Sequence, residues 1–394
     1  MKSYFADLQV HVGMSESGKW VKIPTSSRLT IRNIAMEAIQ RKGIELIGIV
    51  DAMSPLVLDD LSLMLDEGTL TPQSGGGYSY KDKLTLLLGA EIETSELRGG
   101  VAHTLVYLPD IKSMKKFSHF MSQFIHNINL SSQNSHMTLE RLIAISHNFE
   151  AVVIPAHVFT PYKSVYGACC SRLTEILSDK AIENISAIEI GLSADSLLAD
   201  RIEELTHFTL LSNSDAHSLE KIAREYNVLS LANPNFQEFV KALGNIDGRA
   251  VKANYGLNPL LGKYHNSLCG NCGSTVVQNN IENKCLVCGS KKLIKGVFNR
   301  IEEIADFIYP QPPQHRGPYY YQIPLEFIPG IGKRTLAKLL EKFGSEMNVL
   351  HHADKAEIAN VVGESLANEI IKARSGLATL RTGGGGVFGK IVKD

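Results

Sequence analysis

The chain has 394 residues, more than one typical hydrophobic core organises, so we expect two or three domains. Hydrophobic residues make up 44% of the chain, an ordinary share for a globular protein that argues against disorder. We find neither the apolar core of a secretory signal nor an uninterrupted apolar stretch of about 18 residues that could span a bilayer. The composition therefore excludes a membrane-spanning protein and predicts a cytoplasmic one.

The net charge of −1 conceals an asymmetry between the two parts of the chain. Residues 1–249 carry 22 Lys and Arg against 29 Asp and Glu, a net charge of −7. Residues 250–394 carry 18 against 12, a net charge of +6. An acidic part suits bound cations and a basic part suits a polyanion, whereas chance scatter of surface charge is the alternative.

Seven apolar runs in the first 220 residues carry, at or near one end, side chains that can bind a metal ion or lie beside one. The runs are 3–6, 45–50, 84–90, 101–108, 151–156, 185–190 and 209–214. The polar side chains are Asp7, Gln9, His11, Asp51, Glu91, His103, His157, Glu189, Asp215 and His217. Short apolar runs bounded by polar turns are typical of buried parallel strands, whose carboxyl ends carry the chemistry of a barrel. Any one of these residues alone is better explained as a solvated turn or a core histidine, but the repetition predicts an active site.

Helical periodicity between the runs, as at 31–41 and 138–147, predicts an alternating α/β domain over residues 1–248. Two loops, 69–80 with three consecutive glycines and 159–170 with Tyr162 and Tyr166, are candidates for the rim of the metal pocket. There the tyrosines could stack on a base, and ordinary loop packing is the alternative.

Four of the six cysteines form one pattern, in which two Cys-x-x-Cys pairs are separated by twelve residues. They are Cys269, Cys272, Cys285 and Cys288. Thiolates so spaced on glycine-containing turns can supply four tetrahedral ligands to a structural zinc ion. Disulfides are the competing interpretation, but they are rare in a protein without a secretory signal. We therefore predict a zinc-ribbon domain over residues 254–295, followed by a proline-rich extended linker over 296–321.

Residues 322–381 contain two copies of a helix-hairpin-helix pattern, the first around Pro-Gly-Ile-Gly-Lys at 329–333 and the second around 358–365. The hairpin glycines free backbone N–H groups at a helix start, where a phosphate can bind without any base being read. The predicted DNA-binding residues are Gly330, Gly332, Lys333, Arg334, Lys338 and Gly363. A purely structural helical hairpin is the alternative.

The carboxyl-terminal end contributes two weaker signals. Residues 382–394 are glycine-rich and predict a flexible tail, with backbone approach to nucleic acid as the alternative. Residues 322–327, Gln-Ile-Pro-Leu-Glu-Phe, have the spacing of peptides that bind the bacterial sliding clamp. Entry of the chain into the first hairpin explains the same apolar residues.

The polar residues at the strand ends, from Asp7-Leu-Gln-Val-His11 to Ser214-Asp-Ala-His217, resemble the polymerase and histidinol phosphatase (PHP) metal-hydrolase family. The resemblance covers residues 1 to about 245 and implies a distorted seven-stranded α/β barrel that holds two or three divalent metals. Gln9 and Ala52 stand where that family usually has histidines. Carboxylate and imidazole ligands suit Zn²⁺, Mn²⁺ and Fe²⁺, and Mg²⁺ is a further candidate.

On this basis we expect a metal centre in which Asp215 is the catalytic residue, the carboxylate that bridges the metals or activates the reaction. The expected ligands are His11, Asp51, Glu91, His103, His157, Asp215 and His217, with Asp7, Gln9 and Glu189 as residues that orient them.

The complete order of barrel, zinc ribbon, paired hairpins and glycine-rich end resembles the endonuclease Q family over nearly the full length. That resemblance implies a nucleoid-associated DNA repair endonuclease that cuts on the 5′ side of deoxyuridine, deoxyinosine, deoxyxanthosine or an abasic site. Recognition then requires flipping of the lesion into a pocket, for which Tyr162 and Tyr166 are candidate walls. The alternatives are a phosphatase acting on a small monoester, and a DNA-binding scaffold with a degenerate metal site.

Overall fold

The computed structural model describes residues 1–262, 264–276 and 284–377, together with the backbone of 380–381 and 390–391. The strands are β1 (Lys2–Val10), β2 (Leu46–Ile49), β3 (Leu70–Pro72), β4 (Tyr78–Tyr80), β5 (Leu84–Ser95), β6 (Val101–Leu108), β7 (Val152–Pro155), β8 (Ile188–Glu189), β9 (Leu210–Leu211), β10 (Tyr226–Leu231), β11 (Ala250–Gly256), β12 (Leu268–Cys269), β13 (Leu293–Ile294), β14 (Tyr319–Tyr321), β15 (Leu380–Arg381) and β16 (Lys390–Ile391).

The α-helices are α1 (Ile31–Glu37), α2 (Pro55–Asp66), α3 (Ile111–Met121), α4 (Leu139–Asn148), α5 (Asp179–Glu183), α6 (Ser196–Ala199), α7 (Phe236–Leu243), α8 (Val297–Ile304), α9 (Lys333–Phe343), α10 (Glu346–His351), α11 (Lys355–Val362) and α12 (Glu364–Arg374). None of the helices in the described ranges is long and apolar enough to cross a bilayer.

Seven strands form a distorted barrel, as the resemblance implied. Strands β1, β2, β5, β6 and β7 are hydrogen-bonded in the order β7-β6-β5-β2-β1, and β8 pairs with β9. Backbone hydrogen bonds close the barrel between β7 and β8 and between β9 and β1. The Ser186 N–H donates to the Val153 carbonyl at 2.9 Å beside β7, and the His11 N–H donates to the Ala216 carbonyl at 3.2 Å beside β1. The α/β fold class is therefore confirmed.

Strand β6 departs from the parallel arrangement that the apolar runs predicted. It is antiparallel to both β5 and β7, whereas β1, β2 and β5 are mutually parallel. The short connection between β5 and β6 explains the difference, because parallel neighbours need a long crossover. As a result the start of β6 lies beside the end of β5, and His103 pairs in register with Glu93. His103 thus reaches the rim formed by the carboxyl ends of the parallel strands.

The sheet continues beyond residue 248, where the sequence predicted the first domain to end. Strand β10 pairs antiparallel with β1, β11 pairs antiparallel with β10, and β14 pairs parallel with β11. The prediction of an extended linker over 296–321 is wrong for α8 and β14. Helix α8 forms because Val297, Ile301 and Ile304 repeat at helical spacing and are buried in one hydrophobic cluster, whereas the four prolines all follow the helix.

The glycine loop of 69–80 lies at the end of the barrel away from Glu91, so its predicted place at the metal rim is wrong. Strands β3 and β4 pair with each other, and β4 pairs with the first residues of β5. The loop then packs on α7, where the Phe236 N–H donates to the Gly76 carbonyl at 3.0 Å. Gly75, Gly76 and Gly77 all have positive φ, which explains why this turn is built from glycines.

The carboxyl-terminal helices share a hydrophobic core with the barrel, since Leu339, Ile358 and Ile370 belong to the same buried cluster as Ile34 and Ile47. Ion pairs also connect the barrel to these helices. The buried ammonium of Lys42 lies 3.2 Å from a Glu346 oxygen, and Arg41 Nε lies 2.8 Å from the other. Gly43 precedes the next strand with φ 81°, and a Cβ there would lie 2.5 Å from Ser345 Oγ. The helical region therefore packs on the barrel as part of one core.

The segment with clamp-peptide spacing contributes to this core. Gln322, Ile323 and Leu325 are buried, and the hydroxyl of Tyr226 donates to the Gln322 side-chain oxygen. The apolar residues are explained by the entry of the chain into the first hairpin. Because they are buried in the core, they are not presented to a clamp, which argues against a clamp motif. Apart from 390–391, whose backbone pairs with 380–381, the predicted tail of 382–394 lies outside the described residues.

Candidate active site

Three side chains that follow β1 and β9 form the first of two ligand groups at the carboxyl rim. Asp7 and Gln9 in β1 and His11 directly after it occupy alternate positions, which places them on one face. His11 Nε2 lies 3.2 Å from Asp215 Oδ1, and His217 Nδ1 lies 3.7 Å from the same oxygen. His11, Asp215 and His217 can each offer one ligand atom within 4.8 Å of the others, as a shared metal ion requires.

The second ligand group consists of Glu91, His103 and His157, with ligand atoms likewise within 4.8 Å of one another. Glu91 Oε1 lies 3.2 Å from His103 Nδ1, and Oε2 lies 3.8 Å from His157 Nε2. The same Oε2 lies 3.7 Å from His11 Nε2, so one carboxylate faces both groups. If both groups held metal ions, Glu91 would lie between them.

The donors in these groups fit divalent cations. Three of the six side chains, His11, Glu91 and His103, are buried, and His11 Nε2 makes no hydrogen bond of good geometry. Burial and Lys22 oppose protonation of His11, yet Asp51 and Glu91 raise the pKa of that imidazole to about 9. The centre thus carries an excess of negative charge that a cation would neutralise.

Two of the ligand residues have strained backbones. His157 has φ 33° and Asp215 has φ 46°, both in the left-handed region that non-glycine residues rarely adopt. Such conformations persist where the surrounding structure imposes them, and they cluster at functional sites. Here they occur immediately after β7 and after β9, where the chain turns each side chain onto the rim.

Asp51 lies behind His11 and belongs to neither ligand group, which differs from its predicted role as a direct ligand. Its Oδ1 lies 3.0 Å from His11 Nδ1, and it also accepts the Val12 N–H and the Ser131 hydroxyl. Although burial opposes this, His11 lowers the pKa of Asp51 and keeps it ionised. A carboxylate on Nδ1 orients the imidazole so that Nε2 faces a metal.

The three residues predicted to orient the ligands all lie close to the centre. Two of them, Asp7 and Glu189, accept hydrogen bonds from backbone N–H groups. Asp7 accepts the N–H groups of Ser214 at 3.1 Å and Ala223 at 2.8 Å, and burial raises the pKa of Asp7 to about 6. Glu189 accepts the N–H groups of His157 and Gly191, and burial raises the pKa of Glu189 to about 7. These carboxylates therefore fix the turns that carry Asp215 and His157.

Gln9 lies between the two predicted metal-binding carboxylates. Its side-chain nitrogen is 2.9 Å from Glu91 Oε2 and 3.5 Å from Asp215 Oδ1, and its side-chain oxygen is buried without a hydrogen-bond partner. An amide can donate to both carboxylates where a histidine would instead have coordinated.

Above the two ligand groups lies a cavity of about 560 Å³. Tyr162, half exposed, lies on its wall as predicted, whereas Tyr166 is fully buried and stacks on Phe159 with ring centroids 5.5 Å apart. The prediction for Tyr166 is therefore wrong. Periodicity within a loop does not show which tyrosine turns inward, and here Tyr166 is buried within a π-helical turn, Val165–Cys169.

Sequence reasoning missed several residues that line the cavity. Tyr264 comes from the predicted zinc-ribbon segment, and its ring centroid lies 6.2 Å from that of Tyr162 in an edge-on arrangement. Lys163, Lys221 and Arg224 add cationic groups to the lining, although Lys163 pairs with Glu93 and Lys221 with Glu326. None of these follows a strand in a recognisable pattern, so only the folded chain brings them together. The buried Lys22 was missed for the same reason.

The four cysteines converge as the zinc-ribbon prediction requires. The Sγ atoms of Cys269 and Cys288 are 3.6 Å apart, as are those of Cys272 and Cys285, and all six cysteines are free thiols. Four sulfurs at about 2.3 Å from a tetrahedral zinc lie roughly 3.8 Å from one another, whereas a disulfide needs about 2.05 Å. The spacing therefore fits a metal site and excludes disulfides within the cluster. Cys169 and Cys170 lie outside it.

The two hairpins differ in charge although both have glycine turns. Gly330 and Gly363 both have positive φ, and the next helices begin at Lys333 and Glu364. The first turn of α9 has no acidic residue and presents exposed Lys333 and Arg334, whereas α12 begins with the exposed Glu364. A negative side chain at a helix start competes with a phosphate for the same N–H groups.

No family model matches the chain. The protein YqxK of Bacillus subtilis is 44% identical over 393 residues, which are 99% of this chain and all of that protein. The crystal structure of the lesion-specific endonuclease PfuEndoQ from Pyrococcus furiosus superposes with a TM-score of 0.85 at 30% identity, covering 99% of this chain and 95% of that one. An endonuclease Q in complex with a 27-mer duplex carrying an abasic lesion superposes with a TM-score of 0.86 at 29% identity, covering 100% and 97%. The chain belongs to the endonuclease Q family.

Proposed function

We propose that this protein is a metal-dependent DNA repair endonuclease that hydrolyses the phosphodiester on the 5′ side of a damaged nucleotide. The substrates we propose are DNA with deoxyuridine, deoxyinosine, deoxyxanthosine or an abasic site. The observation that carries the proposal is a cavity lined by members of both ligand groups, by two tyrosines and by cationic side chains. The full-length similarity to an endonuclease Q bound to a duplex with an abasic lesion supports the same substrate class.

The ligand groups specify what each side chain contributes. His11, Asp215 and His217 would hold one divalent ion and His103 and His157 another, with Glu91 between them. Metals so held lower the pKa of bound water and neutralise charge on phosphate oxygens. Asp51 orients the His11 imidazole, and Arg224 donates to the carbonyls of Ser214 and Asp215, fixing the turn that presents the carboxylate.

The cavity also suits a flipped nucleotide. Its volume of about 560 Å³ lies within the usual range of roughly 300–1,000 Å³ for small-molecule sites. Tyr162 and Tyr264 offer ring faces or edges to a base, and stacking on aromatic side chains is tolerant of base identity. Extrusion costs least at a mismatched or abasic position, which favours damaged over intact DNA.

Incision of labelled duplexes tests this proposal directly. Duplexes with one uracil, hypoxanthine, xanthine or abasic site, and otherwise identical undamaged ones, would be incubated with the full chain and Mn²⁺ or Mg²⁺. We expect a single cut 5′ of the lesion and none in the undamaged duplex. Phosphate release from a small monoester without incision would instead indicate a phosphatase. Binding without either reaction would indicate a scaffold.

The charge difference between the hairpins leads us to propose that the first one contributes most of the phosphate binding. The double variant Lys333→Glu, Arg334→Glu should lower DNA affinity by about tenfold or more and reduce the salt dependence by about two counterions. Fluorescence anisotropy with duplex DNA at several salt concentrations measures both. Point variants are preferable to deleting the hairpins, because these helices complete the hydrophobic core of the barrel.

The matched control is Lys355→Glu, which reverses one exposed charge beside the second hairpin. We expect a much smaller loss of affinity from this change. If Lys355→Glu weakened binding as much as the double variant, both hairpins would bind phosphate and the charge argument would be incorrect.

A further inference from the structure

Two large apolar side chains are exposed in the loop that follows the first strand. Residues 12–30, which we call the rim loop, lie between β1 and α1. Within this loop Trp20 is 42% exposed and Ile23 is 62% exposed, whereas Val21 and Lys22 between them are buried. Trp20 is the one tryptophan of the chain. Aromatic and aliphatic side chains of this size are usually removed from water, so an exposed pair indicates a binding surface.

The rim loop lies beside the cavity above the ligand groups. The Ser26 N–H donates to the carbonyl of His217 at 3.0 Å, which ties the loop to the first group. Lys22 lines the cavity, and its Nζ lies 2.9 Å from Glu91 Oε1 in the second group. The loop is thus attached to both groups and faces whatever substrate enters the cavity.

The exposed pair lies close to the point where this loop enters the cavity. Two residues of extended chain span at most about 7 Å, so the backbones of Trp20 and Ile23 lie within that distance of the Lys22 backbone. Seven ångströms is the rise of about two base pairs in a duplex. A strand placed for cutting in the cavity therefore brings its neighbouring base pairs within reach of Trp20.

The backbone around Trp20 is held in place by hydrogen bonds. Met14 and Trp20 form an antiparallel bridge, and the Val21 N–H donates to the Gly13 carbonyl at 2.9 Å. The Ser131 N–H donates to the Val21 carbonyl at 2.7 Å from the other side. An indole on such a fixed backbone loses little further freedom when it binds, which favours a role in recognition.

The charge of the rim loop favours DNA as the molecule that covers this pair. Residues 12–30 carry three Lys and Arg against one Glu, although residues 1–249 as a whole are acidic. Lys19 and Arg28 are exposed, and Arg28 pairs with Glu220. Cationic side chains beside aromatic ones are typical of surfaces that bind a nucleic-acid strand.

We propose that Trp20, with Ile23 beside it, packs against the base pair next to the damaged nucleotide, on the face that extrusion of that nucleotide uncovers. The inference rests on the proposed function and assigns the side chains that hold the duplex open. Apolar side chains inserted at a base step stabilise unstacked DNA, and an aromatic ring can stack on any base. This contact requires no particular lesion, because it is made to the neighbouring base pair.

The fluorescence of the unmodified chain tests the contact, because its one tryptophan reports on this position alone. The full chain, without added divalent metal so that no strand is cut, would be titrated with a duplex containing one abasic site. A second titration would use the otherwise identical undamaged duplex. We expect stacking to quench the emission by about half or more with the abasic duplex, and by less with the undamaged one.

Substitutions measure how much the contact contributes to binding. Trp20→Ala should lower the affinity for the abasic duplex by about tenfold, because a stacked base is lost. Trp20→Phe should retain most of the affinity, since it keeps an aromatic face. The matched control is Tyr309→Ala, which removes an exposed aromatic ring that does not line the cavity and should leave the affinity unchanged.

Emission that stays constant while anisotropy shows saturation with the abasic duplex would overturn the inference and leave the endonuclease proposal standing. A folded Trp20→Ala protein that binds as tightly as Tyr309→Ala would do the same. Quenching that grows with protein concentration in the absence of DNA would overturn it as well, because it would indicate contact between two copies of the chain. A chain that binds neither duplex would refute the proposed function together with this inference.

Discussion

Asp215→Asn is expected to abolish incision while leaving DNA binding intact. Asp215 is the carboxylate of the first ligand group, with Oδ1 3.2 Å from His11 Nε2. Asparagine has nearly the same shape but no negative charge, so it binds a divalent metal far more weakly and cannot activate water. We expect the single-turnover rate of incision to fall by about a thousandfold or more, whereas anisotropy with the same duplex should show little change.

Asp66→Asn is the control for this experiment. Asp66 is an exposed carboxylate at the end of α2 and belongs to neither ligand group. It should incise at the rate of the unmodified protein. If the Asp215→Asn protein still cut at more than a few per cent of that rate, Asp215 would not be a ligand of the catalytic metals.

Cys285→Ser is expected to eliminate the structural metal and, with it, much of the incision activity. Cys285 is buried among the four cysteines, and a segment of about 40 residues depends on bound metal where it buries little apolar surface. The same segment carries Tyr264, which lines the catalytic cavity. Loss of the metal should therefore disorder one wall of the site as well as the ribbon.

Bound zinc should fall from about one ion per chain to none, and calorimetry should show a lower unfolding temperature. Cys169→Ser, which changes a partly buried cysteine outside the cluster, should retain its zinc. If Cys285→Ser kept a full equivalent of zinc, the four-sulfur site would be incorrect. If it lost zinc but cut normally, the ribbon would not shape the cavity.

Local spacing was sufficient to predict the features that depend on short stretches of chain. The two sulfurs of each Cys-x-x-Cys turn lie within 4.8 Å of each other because the cysteines are only three residues apart and glycines allow the bend. Strand ends behave similarly, since side chains alternate along a strand and parallel strands finish at one rim. His11, His157, Asp215 and His217 accordingly lie where the pattern predicted.

The features of the site that the sequence did not predict depend on contacts between distant parts of the chain. Asp51 follows a strand like the ligands, but its carboxylate reaches the rear of the His11 ring, 40 residues earlier in the sequence. Lys22 and Tyr264 line the cavity although no sequence pattern links either residue to it, and burial alone distinguishes Tyr166 from Tyr162.

By itself, the sequence determined the α/β barrel, the four-cysteine cluster and most of the side chains in the two ligand groups, because these follow from alternation, turn geometry and ligand spacing. Only the tertiary structure decided that Glu91 and Asp215 belong to the ligand groups whereas Asp51 lies behind His11, that the Lys22 ammonium contacts Glu91, and that the helical region shares the core of the barrel. The physical reason is that burial and electrostatic pairing depend on which surfaces meet, and surfaces meet across distances in sequence that periodicity does not encode.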